Sequence, residues 1–285
     1  MKNGAMQSSR DDRDYNISDC TDLDENIKIP DIYMNMWMPS IRNQGETDNC
    51  TAYALSTIMS CIYHKIYNED KEFSVGGIYG NRRIDNFIGN GRRMRDSLKT
   101  VYKYGDYTAD EFECLSEVRE VIDEFEKQYL KNQDTTHLVK SYVRIKKMDD
   151  AKAFLWKYKV PLFVCANMYN IIPLGGKGRH AMACYGFNNG RFYCQNSWGE
   201  KKYPNPWLEF KEFIEVWGCV PMADMKFTDV PNDRWSAEAI TEAANDGIIE
   251  GFPDNTFHPS ESLTREQMAV LWRRIKHYIN DSINN

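Results

Sequence analysis

Apolar positions in the first third of the chain fall into one long helical stripe. Just after Cys50, the residues Leu55, Ile58, Met59, Ile62 and Ile66 recur at offsets 0, 3, 4, 7 and 11, which is one face of a helix. Ala52, Tyr53 and Ala54 add apolar surface beside that stripe, so burial on most sides is expected. Asp48 or Asn49 is placed to cap the first turn. Residues 97–104 and 111–128 also pattern as helices, whereas 142–145, 160–166, 179–186 and 191–196 pattern as strands. A helical first half followed by a strand-rich second half predicts an α+β domain with a cleft between two lobes, one helical and one of antiparallel β-structure. Residues 29–40 form an extended approach rich in Met and aromatics, and the polar, acidic stretch 1–27 predicts a loosely attached tail.

The pattern changes after Pro221. Residues 227–279 predict two helices around a turn-rich loop: one from about Trp235 to Asp246, stopped by Gly247 as a C′ glycine, and one starting at Thr264. Thr264 and Gln267 form a capping-box pair, and Met268, Leu271, Trp272, Ile275 and Ile279 repeat the offsets of the first helix. A module of about 50 residues has a marginal core, so support from the larger domain or self-association is expected. The expected divisions are therefore a tail over 1–27, a main domain over 28–222 and a small α-helical module over 227–279.

Composition narrows the function. Of the 285 residues 42% are hydrophobic and 27% charged, enough for packed cores. A net charge of −6 with no basic block gives nucleic-acid binding no electrostatic support. No apolar run is long enough to span a bilayer. The first 30 residues hold no apolar segment of the secretory type, which leaves export by another route, a missing native start, or a cytoplasmic location as the alternative. The eight cysteines include no CxxC pair, so neither a zinc site nor any other metal or cofactor is expected. Most are expected to be buried and reduced.

Candidate chemistry gathers at Cys50. A thiol becomes a strong nucleophile when a helix N-terminus and an imidazolium favour its thiolate. Cys50 opens the long helix, and its partner must be one of five histidines. His64 lies 14 residues further along the same helix, about 21 Å away at 1.5 Å per residue. His258 and His277 belong to the C-terminal module, and His137 patterns as a surface residue. His180 remains, opening an apolar strand 130 residues after Cys50, with Asn196 following at 146. Asn188-Asn189-Gly190 is a turn between the two strands carrying them. A three-residue loop with Gly190 in the left-handed region pairs Phe187 with Arg191, sets Met182 opposite Asn196, and puts His180 on the same face as Asn196. A two-residue turn reverses that face, so the three-residue hairpin is predicted. The chemistry then assigns Cys50 as nucleophile, His180 as its base and acid, Asn196 as the acceptor that orients His180, and the Gln44 amide with the Cys50 backbone N–H as oxyanion donors. Trp198 is placed to cover the His180–Asn196 contact.

At these residues the chain resembles the papain family of cysteine peptidases. Residues 44–54 resemble that family's Q-G-x-C-G-S-C-W-A-F-S run, Arg179-His180-Ala181 its histidine block, and Gln195-Asn196-Ser197-Trp198-Gly199 its N-S-W-G block. The resemblance covers about 29–222. It implies the two-lobed papain-like fold, a Cys50–His180–Asn196 triad with Gln44, a polypeptide substrate, and substrate-binding roles for Gly91, Met94 and Trp198. Thr47 stands where the family has a disulfide cysteine, and Asp48, Asn49 and Thr51 depart from its nucleophile motif. The family's inhibitory propeptides run to many tens of residues. The 28 residues before Ile29 are too few for one, which implies another control or none.

Residues 227–279 resemble an S-layer homology domain, through Phe227-Thr-Asp-Val-Pro231, Trp235, Gly251-Phe-Pro-Asp-Asn-Thr-Phe257 and Leu263-Thr-Arg-Glu266. Such domains hold bacterial proteins to secondary cell-wall polysaccharide. The resemblance implies a sugar-binding role for Trp235 and Arg265, and a location at the cell surface. A peptidase tethered to the bacterial wall follows. A degenerate peptidase acting as a wall-binding protein, or a transpeptidase on the same triad, is the alternative.

Overall fold

A computed structural model describes residues 4–9, 28–35, 37–83, 89–115, 118–129, 135–171, 178–199, 205–222, 227–231, 234–245, 248–252 and 256–283. They divide into two compact units, Met1–Pro221 and Met222–Asn285. The first contains, in order, β1 (Ala5–Met6), β2 (Ile32–Met34), α1 (Cys50–Tyr67), α2 (Val75–Gly80), β3 (Arg92–Arg93), α3 (Met94–Tyr104), α4 (Val118–Tyr129), β4 (Val139–Arg144), α5 (Met148–Tyr158), β5 (Leu162–Asn167), α6 (Met168–Ile171), β6 (Arg179–Asn188), β7 (Arg191–Gln195), β8 (Trp207–Glu209) and β9 (Phe213–Pro221). The second contains α7 (Ala237–Asn245) and α8 (Arg265–Ile283).

The predicted stripe is the reason α1 sits at the centre of the helical lobe. Leu55, Ile58, Met59, Ile62 and Ile66 are all buried, and so is every residue from Cys50 to Ile62. The helix starts at Cys50 without the predicted side-chain cap. Asn49 has φ −106° and ψ 23° rather than the extended backbone of an N-cap, and its Oδ1 is taken by the Thr47 hydroxyl. Its carbonyl still accepts the first amides, Ala52 N at 2.9 Å and Tyr53 N at 3.1 Å.

The second lobe is an antiparallel sheet in the order β4-β9-β5-β6-β7-β8, with β2 also pairing β6. Helix α5 was not foreseen; its Ala151, Phe154 and Leu155 fill a core with Leu162, Val164, Met182 and Phe187 from the sheet. Strand β6 occupies the middle and carries His180 at its start. Helix α1 packs against that strand, so Cys50 and His180 come from two elements in contact.

The β6–β7 hairpin corrects the predicted turn. Asn188 pairs with Arg191, so the turn has two residues, Asn189 and Gly190, with φ 45° and 80°, the pattern of a type I′ turn. By itself this register carries His180 to the wrong face. Tyr185 restores it: Gly186 pairs with Tyr193 but Cys184 pairs with Cys194, so β6 has one extra residue, a β-bulge. The predicted bulge exists, five residues from where it was placed. Its cause is long-range. Asn35, just past β2, donates its N–H to the Tyr185 carbonyl at 2.9 Å. β2 presses so closely on Gly186 that a side-chain carbon there would meet Tyr33 O at 2.5 Å and Met34 Sδ at 2.6 Å.

Residues 4–9 are a second correction. Expected as part of a loose tail, they are ordered, and β1 adds to β3 as a parallel strand, pairing Ala5 with Arg92 and Met6 with Arg93.

In the second unit Phe227, Ile240 and Ala244 form a small core with Val230, Ile249 and Phe257. Asp229 accepts the N–H groups of Phe257 and His258, both at 2.7 Å, pinning the loop between the helices. The capping box at α8 is present: Thr264 Oγ1 accepts from Gln267 N at 3.1 Å, and Gln267 Oε1 from Thr264 N at 2.8 Å. The predicted stop at Gly247 lies outside the described residues. Among the described residues no helix is long and apolar enough to cross a membrane.

Candidate active site

His180 Nε2 lies 3.0 Å from Asn196 Oδ1. The Trp198 ring stacks on the His180 ring with centroids 4.2 Å apart, shielding that contact. Asn196 Oδ1 also accepts from Ser197 N at 2.7 Å, which fixes the amide oxygen toward the histidine. The bond at Nε2 leaves Nδ1 as the ring nitrogen available to another group.

Cys50 stands at the first position of α1, and the nearby main-chain N–H groups of Ala181, Gly4 and Thr51 favour its thiolate. Ala181 is the residue after His180, which ties the thiol to the same stretch of β6. Gln44 is buried and braced from both sides. Its N–H donates to Ser197 O at 2.8 Å, its Oε1 accepts from Ser197 Oγ at 2.6 Å, and its Nε2 donates to Thr47 O at 2.8 Å. An amide nitrogen carries two hydrogens, so one remains for another acceptor.

Both side chains are sealed from water, Cys50 at 0% exposure and His180 at 1%. Burial pushes the Cys50 thiol up to about 11, helped by the Asp48 charge and opposed by the three N–H groups. Burial pushes His180 down to about 4, opposed by the bond to Asn196. In this arrangement the pair rests as thiol and neutral imidazole near neutral pH. Two of the positions flagged beside Cys50 hold unpartnered buried atoms, Asn49 Nδ2 and Thr51 Oγ1. Each such atom costs about 1–3 kcal/mol.

Of the substrate-binding candidates, Gly91 precedes β3 and Met94 opens α3. Gly91 adopts φ 70° and receives Gly4 so tightly that a side-chain carbon there would meet Gly4 O at 2.5 Å. Met94, opening α3, is buried. Sequence reasoning missed Arg95 and Glu215, two buried charged groups that hold residues 8 and 9. A charged residue at the start of α3 and another inside β9 were the available signal.

In the C-terminal unit Trp235 is 93% exposed and Arg265 is exposed, so Trp235 is no core residue there. All described cysteines are free thiols, buried except for Cys114. Among the described residues no group of three or more His, Cys, Asp or Glu side chains is arranged to hold a metal ion.

The two lobes with this cleft between them are a papain-like fold. Xylellain, a cysteine protease from Xylella fastidiosa, superposes with a TM-score of 0.59 at 20% identity over 75% of this chain and 94% of that one. ProCathepsin B S9 from Trypanosoma congolense gives 0.56 at 12% identity over 77% and 86%. Residues 226–269 are an S-layer homology domain. The outer membrane protein SlpA of Thermus thermophilus is 45% identical over 58 residues, which is 20% of this chain and 6% of that protein. The S-layer protein of Bacillus licheniformis is 38% identical over 56 residues, again 20% of this chain and 6% of that protein.

Proposed function

We propose that the first unit is a cysteine endopeptidase acting through Cys50, His180 and Asn196. The observation that carries this is the buried 3.0 Å bond from His180 Nε2 to Asn196 Oδ1, roofed by Trp198, on the strand against which the Cys50 helix packs. His180 Nδ1 takes the thiol proton, and the thiolate attacks the carbonyl carbon of the peptide bond. The oxyanion is met by the Cys50 N–H and the second hydrogen of Gln44 Nε2, each worth about 3 kcal/mol in such sites. The imidazolium gives its proton to the leaving amine, which departs as the thioester forms. Water, deprotonated by the imidazole, then releases the acid and the free thiol. Asn196 holds the ring in one tautomer throughout, while Gly91 and Met94 line the substrate's path.

The S-layer homology domain would carry this enzyme to the outer face of a bacterial envelope by binding cell-wall polysaccharide. Exposed Trp235 offers a stacking face and Arg265 a guanidinium for an acidic sugar. An epoxide inhibitor of thiol proteases is expected to label Cys50, and Cys50→Ala is expected to abolish peptide hydrolysis with the fold intact. Labelling elsewhere, or hydrolysis by Cys50→Ala, overturns the peptidase assignment. Pull-down on purified cell-wall polysaccharide tests the anchor, and full retention by Arg265→Ala rejects the arginine's role.

A further inference from the structure

Strands β6 and β7 set two cysteines face to face. Cys184 pairs with Cys194 in the antiparallel register, with the Tyr185 bulge immediately beyond. Both are free, fully buried thiols. Burial first, and then the neighbouring Cys184 thiol, holds Cys194 well above the usual thiol range. Among the described strands no other two cysteines stand opposite each other. Cys165 faces Ala181 and Glu215, and Cys219 faces Tyr142.

The spacing suits a covalent bridge. Directly opposite residues of an antiparallel pair have Cα atoms about 4.5–5.5 Å apart, inside the span of about 4.4–6.8 Å that a disulfide bridges. Their Cβ atoms stand about 4.5–5.5 Å apart where the bridge needs about 3.5–4.5 Å, so the strands must close by about 1 Å. The bulge supplies that give. It breaks the ladder beside Cys184, whose sulfur lies 3.8 Å from the Gly186 carbonyl across the bulge.

We propose that Cys184 and Cys194 form a cross-strand disulfide, closed while the chain folds in an oxidising medium, that clasps the strands carrying His180 and Asn196. The proposal goes beyond the peptidase assignment and does not depend on it. His180 lies four residues before Cys184 and Asn196 two after Cys194, so alternation puts all four on one face. The S-layer homology domain goes with the cell envelope, where thiols are not held reduced as they are in the cytosol.

The oxidant is a donor disulfide, carried by a thiol–disulfide oxidoreductase or by oxidised glutathione. Cys194, as thiolate, attacks one donor sulfur and expels the first donor thiolate. Cys184, as thiolate, attacks the Cys194 sulfur of the mixed disulfide and expels the second. The two cysteines lose two electrons, the donor gains them, and two protons end on the donor sulfurs.

Burial sets the order of events. A hairpin closed by a type I′ turn is a local element and forms early. Helix α5 then lays Ala151, Phe154 and Leu155 on the core that holds both sulfurs. Before that step the donor reaches the thiols and they can ionise. After it the core excludes the donor, opposes ionisation and shields a bond already made.

The test refolds the reduced full chain from urea in a glutathione redox buffer and places the folded reduced chain in the same buffer. Free thiols are blocked with iodoacetamide and both samples are digested. Trypsin cuts after Arg191, between the two cysteines, so the bond appears as a joined pair of peptides. The pair is expected in the refolding chain, and at least about tenfold more slowly in the folded one, where exchange waits for opening. A closed loop of about ten residues should raise the folded-to-unfolded ratio of the first unit in urea by about ten- to a hundredfold, a gain that dithiothreitol removes. Cys184→Ala should give neither the joined peptides nor the dithiothreitol effect. Recovery of Cys184 and Cys194 as blocked thiols after refolding, or joined to other cysteines, overturns the proposal. A joined pair that moves the ratio by less than about twofold rejects the clasp, and equal rates of closure in the two samples reject the order of events.

Discussion

Replacing Asn196 by alanine probes the bond on which the catalytic assignment rests. Its Oδ1 accepts two buried donors, His180 Nε2 at 3.0 Å and Ser197 N at 2.7 Å. Each donor left buried and unsatisfied costs about 1–3 kcal/mol, so the folded state should lose about 2–6 kcal/mol. The catalytic loss comes from the first donor alone. A hydrogen bond to a ring that becomes cationic during turnover is worth about 1.5–3 kcal/mol, which predicts a fall in kcat/KM of about 10- to 150-fold. Trp198 still holds the plane of the ring, which keeps the loss below that of removing His180. Asn196→Asp retains an acceptor oxygen and should recover most of the rate, with a His180 pKa higher than in the parent. The assay is hydrolysis of a fluorogenic peptide at limiting substrate, beside urea unfolding of each form. A kcat/KM for Asn196→Ala within about twofold of the parent, with Cys50→Ala inactive, would falsify the orienting role.

Four other outcomes are expected. Asp48→Asn removes a negative charge that raises the Cys50 pKa, so the pH profile of Cys50 alkylation should move to lower pH. His180 is depressed from 6.5 to about 4, so between those values the unfolded chain binds a proton that the folded chain does not. That stability is therefore complete above pH 6.5 and falls on acidification by roughly 3 kcal/mol, a slope that urea unfolding should find missing in His180→Gln. Gly218→Ala would set a methyl 2.6 Å and 2.8 Å from Phe154 Cζ and Cδ2, and equilibrium unfolding should show a loss of about 1–3 kcal/mol. Thr264→Ala breaks the capping box at α8 at a cost of about 1 kcal/mol, visible as faster amide exchange in that helix's first turn with no change at α1.

How much of this was legible in the sequence depended on whether the cause was local. α1 was readable because its apolar residues repeat at the helical period and its whole start is buried. The capping box was readable because both partners lie within four residues. His180 and Asn196 could be chosen by elimination and by face, and the face was right for the wrong reason. Turn chemistry at Asn189-Gly190 gave the two-residue turn its due only in the structure, because the compensating bulge answers to β2, some 150 residues earlier in the chain. α5 was missed since its buried set is only Ala151, Phe154 and Leu155, too short a pattern to separate from loop. Residues 4–9 were unreadable in principle. Gly-Ala-Met-Gln-Ser-Ser has no amphipathic period, and what holds it is Arg92, Arg95 and Glu215.

The Tyr185 bulge gives the hairpin an unusual freedom. The face that His180 shares with Asn196 is held by the Tyr185 bulge and by β2 alongside, as well as by the turn. An engineer can therefore open the chain between Asn189 and Gly190 and obtain two fragments, each holding one partner of the pair. Their reassembly would be scored by the return of a single hydrogen bond, making this hairpin a natural seam for a split reporter.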